Sequence, residues 1–332
     1  MSDRPPRCAL AGSVTFSRIA LEALFRNGLP VVGVLGLNEA RSANVSDYAR
    51  LDDVAAAHGV EYRGFDNINE PSVVEAVRNW KPDLLFVAGL SQLVKAELMS
   101  LPRLGCVGFH PTPLPYGRGR APVAWLTYDG TPGAVSFFLI DDGVDSGPVF
   151  VQEPYAVDGD ATAADVIENV RTAIARALDR WLPRLRDGEF DPVPQDESRA
   201  SYFGRRSPED GLIDWRDSSE SIHRLVRAAG RPYPGAYTYA GGAKLLVWRS
   251  AREHELRFRG VIGRILKIGE SGSLLVQTGN GLLWLEETEI VPPEATPRIA
   301  VGTRLGYAPE DEIHNLRRRV AELERLLRRD HD

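Results

Sequence analysis

The sequence predicts an α/β protein: a domain on a parallel sheet, then a small β-barrel, then a short C-terminal helix. Three patterns carry this. Through the first half, short apolar runs alternate with stretches of helical periodicity, as the strands and crossover helices of a parallel sheet do. From Ala236 to Leu305 the helical stretches vanish, and five short strand-like runs follow one another between glycine turns, the pattern of a small barrel. At the end, Ile313, Leu316, Val320, Leu323 and Leu327 step by three and four residues with Arg and Glu between them, a heptad seam. The boundaries expected on this basis are residues 1–200, 201–308 and 309–332.

A chain of 332 residues is long enough for two ordinary domains and a tail. The formal net charge of -6 argues against a general nucleic-acid binder. Cys8 and Cys106 lie in apolar runs without metal-ligand spacing, which reads as buried reduced thiols, and no metal site is expected. No long apolar run follows the N-terminus and no segment is suited to span a bilayer, so the expectation is a cytoplasmic protein without a membrane partner.

In chain order, the apolar run Cys8–Ala11 ends at Gly12-Ser13, and Phe16, Ile19, Ala20, Ala23 and Leu24 recur at helical spacing until Asn27-Gly28. Val31–Leu35 is a second buried strand. The first turn lacks a dinucleotide fingerprint. A polar loop over 38–48 leads to a helix at Leu51–His58 and a short strand at Val60–Tyr62. Pro71 opens another helix. Asp83–Ala88 is almost wholly apolar, a strand buried on both faces, and the loop Gly89-Leu90-Ser91-Gln92 after it is a candidate wall of a ligand site.

Cys106–Phe109 reads as the next strand, with His110 at its carboxyl end and Pro111, Pro113 and Pro115 holding the following loop extended. A helix over Ala121–Tyr128 and a strand over Gly133–Ile140 lead to the tight turn Asp141–Gly147 and a further strand from Val149. The amphipathic stretch Ala163–Leu185 has an acidic start and an Arg-rich end, which suits the helix dipole. Residues 187–200 read as a linker. Ser218–Ala229 is a helix, and the runs 237–239, 244–249, 259–268, 273–278 and 282–290 are the five strands. The heptad tail is too short to stand as an isolated helix; it either packs on its own body or pairs two subunits as a homodimer.

A histidine at a strand end and an aspartate in a second glycine-rich turn are a common source of a proton-transfer dyad. His110 and Asp145 fit that description; the bland alternative for His110 is a capped structural residue in a Pro-rich loop. Arg118 and Arg120 in a Gly-flanked loop, and Arg205 with Arg206, are candidates to meet phosphates. Asp142 reads as a turn former.

These residues resemble a known family. His110-Pro-Thr112-Pro-Leu-Pro-Tyr-Gly-Arg118-Gly119, followed by Asp142-Gly-Val-Asp145-Ser-Gly, resembles the 10-formyltetrahydrofolate-dependent formyltransferases, whose pattern is Asn-x-His-x-Ser-Leu-Leu-Pro-x-x-Arg-Gly and then an Asp near a Gly turn. The stretch from Phe203 to Trp215 and the run Arg231-Pro-Tyr-Pro-Gly-Ala236 are similar to the amino-sugar branch, nearest to the formylation domain acting on UDP-4-amino-4-deoxy-L-arabinose. The likeness covers nearly all of residues 8–290.

The resemblance implies a Rossmann-like domain, an OB-like barrel, and 10-formyltetrahydrofolate as donor. It makes His110 and Asp145 the catalytic pair and sets the pterin against Ala88, Gly89 and Leu90 and the turn of Asp141, Asp142 and Gly143. The substrate it implies is a nucleotide-linked amino sugar, for which Thr112, Arg118, Arg120 and Arg205 are the candidate contacts. The chain departs from the pattern at Gly108, where the family has the Asn that helps hold the oxyanion. The hydrolase domain of 10-formyltetrahydrofolate dehydrogenase also lacks that Asn, so hydrolysis, transfer to a different amine such as methionyl-tRNA, and non-catalytic binding remain alternatives. Thr112 and Gln92 are the candidates to replace the Asn.

Overall fold

The computed structural model describes residues 4–329 except 44, 46, 91 and 308, and except the side chains of 328 and 329. Two residues of the expected 38–48 loop, Ser91 in the loop after Ala88, and the end of the tail therefore lie outside the described residues. The chain divides into two compact units, Met1–Ser207 with Arg231–Tyr233, and Pro208–Gly230 with Pro234–Asp332.

The first unit runs β1 (Cys8–Gly12), α1 (Thr15–Arg26), β2 (Val31–Leu37), α2 (Asp52–Ala57), β3 (Tyr62–Phe65), α3 (Pro71–Trp80), β4 (Leu84–Ala88), α4 (Ala96–Met99) and β5 (Cys106–His110). It continues with β6 (Arg118–Gly119), α5 (Pro122–Asp129), β7 (Gly133–Leu139), β8 (Val149–Tyr155), α6 (Ala163–Arg186) and β9 (Tyr202–Phe203). Seven of these strands form one sheet in the order β3-β2-β1-β4-β5-β7-β8. The first five are parallel, as the alternation of strand and helix requires. The expectation of a parallel sheet fails at β7, which runs antiparallel to both β5 and β8; the turn from β7 to β8 is too short for a crossover, so β8 returns to the direction of the first five.

Both faces of the sheet are covered. On one, α6 lays Val166, Val170, Ile174, Leu178 and Trp181 against Leu10, Phe86 and Phe137, together with Leu21 and Leu24 of α1. On the other, Val73, Val77 and Trp80 of α3 meet Leu35, Leu85 and Cys106. The start of α6 is set by a reciprocal cap, with Thr162 Oγ1 accepting from Asp165 N–H and Asp165 Oδ2 from Thr162 N–H. Cys8 and Cys106 are free and buried, and burial pushes the Cys106 thiol up to about 12.

Residues 187–200 are not a loose linker. Val193 bridges to Val149, and Gln195 and Glu197 bind the loops that follow β5 and β7. The first unit also extends past the expected border at residue 200, because β9 pairs with β6 and Trp125 Nε1–H donates to Gly204 O.

The second unit holds α7 (Ser219–Ala229), β10 (Ala236–Ala240), β11 (Ala243–Glu253), β12 (Ile265–Ile268), β13 (Leu274–Gln277), β14 (Leu282–Val291) and α8 (Pro309–Arg329). Its five strands form an antiparallel sheet in the order β10-β11-β14-β13-β12. Ile222 and Val226 of α7 pack with Leu245, Val247, Val276, Leu283 and Leu285. The strand expected over 259–268 is confined to Ile265–Ile268. Among the described residues, no helix is long and apolar enough to cross a membrane.

Candidate active site

His110 ends β5 with its side chain 7% exposed. Its Nε2 lies 2.8 Å from the carbonyl oxygen of Gly117. A carbonyl only accepts, so Nε2 carries the hydrogen. Nδ1 of the neutral ring is then an acceptor, and it faces Asp145 Oδ2 at 3.6 Å. Two acceptors confront each other, and a donor placed between them satisfies both. Burial pushes the His110 pKa below the ordinary 6.5, with the Asp145 carboxylate and the Gly117 carbonyl pulling the other way.

Asp145 is held by the backbone around it. Its Oδ2 accepts from Gly119 N–H at 2.8 Å. Its own carbonyl accepts from Gln195 Nε2, which also donates to Gly147 O. The residue sits at φ +51°, a left-handed conformation that aspartate adopts more readily than most side chains.

The loop after His110 is pinned carbonyl by carbonyl. Tyr155 Oη–H donates to Pro111 O at 2.6 Å, Ser136 Oγ–H to Thr112 O at 2.6 Å, and Gln152 Nε2–H to Leu114 O at 2.7 Å. Gly117 N–H donates to Ser201 Oγ. Anchoring of this kind presets the geometry of a reacting group.

The other residues singled out by sequence separate into groups. Thr112 is fully buried and its Oγ1 has no hydrogen-bond partner. Arg118 does not face an open site, contrary to its expected contact with substrate. Its side chain is fully buried, and the guanidinium is taken up by Gln195, Glu197 and Tyr202 Oη. Three acceptors in fork geometry draw it inward. Arg120 and Arg205 are exposed, and Arg206 lies over the Trp125 ring at 5.2 Å. The pairing of β6 with β9 is parallel and continues as Arg120 N–H to Phe203 O. Arg120 and Arg205 therefore leave the same end of one ladder.

Strand β5 lies between β4 and β7; the loop after β4 leaves beside the carboxyl end of β5, whereas the loop after the antiparallel β7 leaves beside its start, where Ile140 N–H donates to Cys106 O, and brings Asp145 back to His110. After β4, Ala88 is buried, Gly89 takes φ +63° and Leu90 packs on the core. Ser17 Oγ donates to Ala88 O and accepts from the amides of Ser13 and Val14, tying this loop to the first turn. After β7, it is Asp141 that folds the turn, accepting from Gly143 N–H and Ser146 Oγ–H, while Asp142 and Gly143 are exposed. Gln92 accepts from Ile68 N–H and donates to Asp66 O, so its amide is committed to a neighbouring loop.

Gly108 lies opposite Phe138 in the β5–β7 ladder. A Cβ here would stand 2.7 Å from Phe138 Cζ. The space a longer side chain would need is filled by that ring. Among the described residues, no group of three or more His, Cys, Asp or Glu is placed to hold a metal.

Sequence reasoning missed Gln195, Glu197, Ser136, Gln152 and Tyr155. Gln195 and Glu197 were hidden in a segment that reads as a linker. The other three look like ordinary strand residues, and only the folded sheet brings them under the loop.

Comparison with known proteins places this site in context. Residues 10–182 match the family model described as "Formyl transferase", and residues 205–294 match "Formyl transferase, C-terminal domain". A methionyl-tRNA formyltransferase of Syntrophomonas wolfei is 31% identical over 288 residues, which is 85% of this chain and 90% of that one. Among solved structures, HypX from Aquifex aeolicus in complex with tetrahydrofolic acid has a TM-score of 0.60 at 20% identity, over 89% of this chain and 46% of HypX. The chain thus spans less than half the length of HypX. WlaRD, a sugar 3N-formyl transferase solved in the presence of dTDP and 5-N-formyl-THF, has a TM-score of 0.62 at 16% identity, over 86% of this chain and 98% of that one. At these identities the two structures speak for the fold alone.

Proposed function

We propose that this chain, which belongs to the formyl transferase family, moves a formyl group from 10-formyltetrahydrofolate to the amine of a nucleotide-linked amino sugar. The observation that carries the chemistry is the facing pair of acceptors, His110 Nδ1 and Asp145 Oδ2, 3.6 Å apart. A neutral amine between them is a donor to both.

In this reading the amine nitrogen attacks the formyl carbon, and the carbonyl electron pair moves to oxygen. The proton released by the nitrogen passes to His110 Nδ1, while Nε2–H stays on the Gly117 carbonyl. The Asp145 carboxylate stabilises the imidazolium that forms. Collapse of the intermediate breaks the bond to the folate nitrogen, and His110 returns its proton there. Proton and electron pairs balance, and the products are the formamide and tetrahydrofolate.

Gly108 stands where the resembling enzymes carry Asn, and the Phe138 ring closes that space. The oxyanion then falls to the imidazolium of His110, since Thr112, fully buried, is no more open to substrate than Arg118. One such donor is worth on the order of 10²–10³ in rate. The pterin rests against Ala88, Gly89 and Leu90 on one side of β5, and against Asp141, Asp142 and Gly143 on the other. Arg120 and Arg205 meet the diphosphate of the sugar nucleotide. In support, they share one ladder end, and Gly119, next to Arg120, donates its N–H to Asp145.

A second acceptor, methionyl-tRNA, is favoured by the Syntrophomonas wolfei relative; the same arginines would then meet backbone phosphates. The test follows tetrahydrofolate release from 10-formyltetrahydrofolate alone, with a panel of nucleotide amino sugars, and with methionyl-tRNA. Release that depends on a sugar is the expected result. Release with methionyl-tRNA only transfers the assignment to tRNA, release without any acceptor makes the chain a hydrolase, and no release at all sinks the proposal.

A further inference from the structure

Among the described residues, nothing covers the apolar stripe of helix α8. From Pro309 to Leu327 every side chain is exposed except Ala321, which is half-buried. Ile313, Leu316, Val320, Leu323 and Leu327 lie between 50% and 62% exposed. Most helical stability in proteins comes from packing of an apolar face, and the described side chains of this 21-residue helix have almost none. Its stability has to come from a surface that covers the stripe.

We propose that the surface is α8 of a second copy of this chain, lying parallel and in register. Two features of the helix select that occupant. The first is the shape of the seam. With Ile313, Val320 and Leu327 at a positions, Leu316 and Leu323 fall at d. A β-branched residue at two of the a positions with leucine at d is the combination that favours two parallel strands.

The second is charge. In a parallel pair, each g residue meets the e residue of the next heptad on the partner. Here Glu312 at g meets Arg317 at e, and Arg319 at g meets Glu324 at e. Both contacts join opposite charges, and the two-fold axis repeats each of them. Slipping the helices by one heptad sets Glu312 against Glu324 and Arg319 against Arg317, like charges in both cases. The charges that border the seam thus agree with one register and oppose the next.

The test uses the full chain. Sedimentation equilibrium at micromolar concentrations should show a dimer. Leu316→Glu with Leu323→Glu should leave a monomer whose main unfolding transition is unmoved. An all-acidic variant, Arg317→Glu with Arg319→Glu, and an all-basic variant, Glu312→Lys with Glu324→Lys, should each self-associate at least about tenfold more weakly. Mixing these two should restore the dimer as a heterodimer. Ile313→Cys should give a disulfide-linked dimer under mild oxidation, since parallel a positions meet and the native Cys8 and Cys106 are buried. A wild-type monomer throughout this range overturns the proposal and turns the stripe over to the body of the chain or to another protein. Undiminished self-association of both charge variants, or the absence of cross-linking by Ile313→Cys, overturns the parallel register.

Discussion

Replacing Asp145 with Asn removes a charge while leaving the local fold little to react to. Asn tolerates the left-handed backbone at this position (φ +51°), and its carbonyl can still accept from Gly119 N–H. What is lost is the attraction between the carboxylate and the imidazolium formed during proton transfer. At 3.6 Å and an effective dielectric of about 20, that attraction is about 4–5 kcal/mol. Because the Asp145 side chain is 22% exposed, water recovers part of it. A fall in kcat on the order of 10³ is therefore expected for Asp145→Asn, within the range of general acid–base catalysis. The assay is tetrahydrofolate release at saturating donor and acceptor, with urea unfolding of the same preparation as control. The midpoint should stay near wild type. A variant that keeps more than about a tenth of wild-type kcat would refute the reasoning, since it would mean that the charge facing His110 has no part in the rate-limiting step.

Four further outcomes follow from the same geometry. His110 is buried with its pKa below 6.5, so with His110 as the proposed base kcat should hold as pH falls through 6.5 and drop only below it; in Asp145→Asn that limb should move to still lower pH, because Asp145, with the Gly117 carbonyl, pulls the histidine up. The unfolded chain binds the same proton near 6.5, so this histidine withdraws stability as pH falls from there towards its folded pKa, which a urea series at several pH values measures. Gly108→Asn should destabilise the chain by about 1–3 kcal/mol, because its Cβ would meet the Phe138 ring at 2.7 Å; adding Phe138→Ala should recover part of the loss, and an unchanged unfolding midpoint in the single variant would show the space to be open. Gln195→Ala removes the two hydrogen bonds its amide gives to the Asp145–Gly147 turn and the two its oxygen accepts from the buried Arg118, at about 1 kcal/mol each, and kcat should fall at least roughly tenfold; an unaltered kcat would mean that the turn holds its shape without them.

The secondary structure was largely legible because it is local. Apolar runs bounded by Gly and Asn separated the strands, and helical spacing marked α1, α3 and α6. The reversal of β7 was not legible, since an apolar run carries no sign of direction. Residues 187–200 were misread for a related reason. Polar residues between two domains look like a linker until their partners are known, and the partner of Gln195 is a backbone turn some fifty positions earlier in the chain.

The candidate site divides in the same way. The sequence by itself determined which groups were available: a histidine at a strand end, an aspartate in a glycine-rich turn, a glycine at 108 and a heptad tail. These are matters of residue type and short spacing, which the chain states directly. Only the tertiary structure decided where the groups lie and what they face. It turned Arg118 inward onto Glu197 and left Arg120 exposed, and it laid Phe138 over Gly108. It pointed Nε2 of His110 at a carbonyl, so that Nδ1 is the atom left to face Asp145. Such choices depend on which donors and acceptors meet across long separations, and burial fixes that pairing only once the sheet has closed around them.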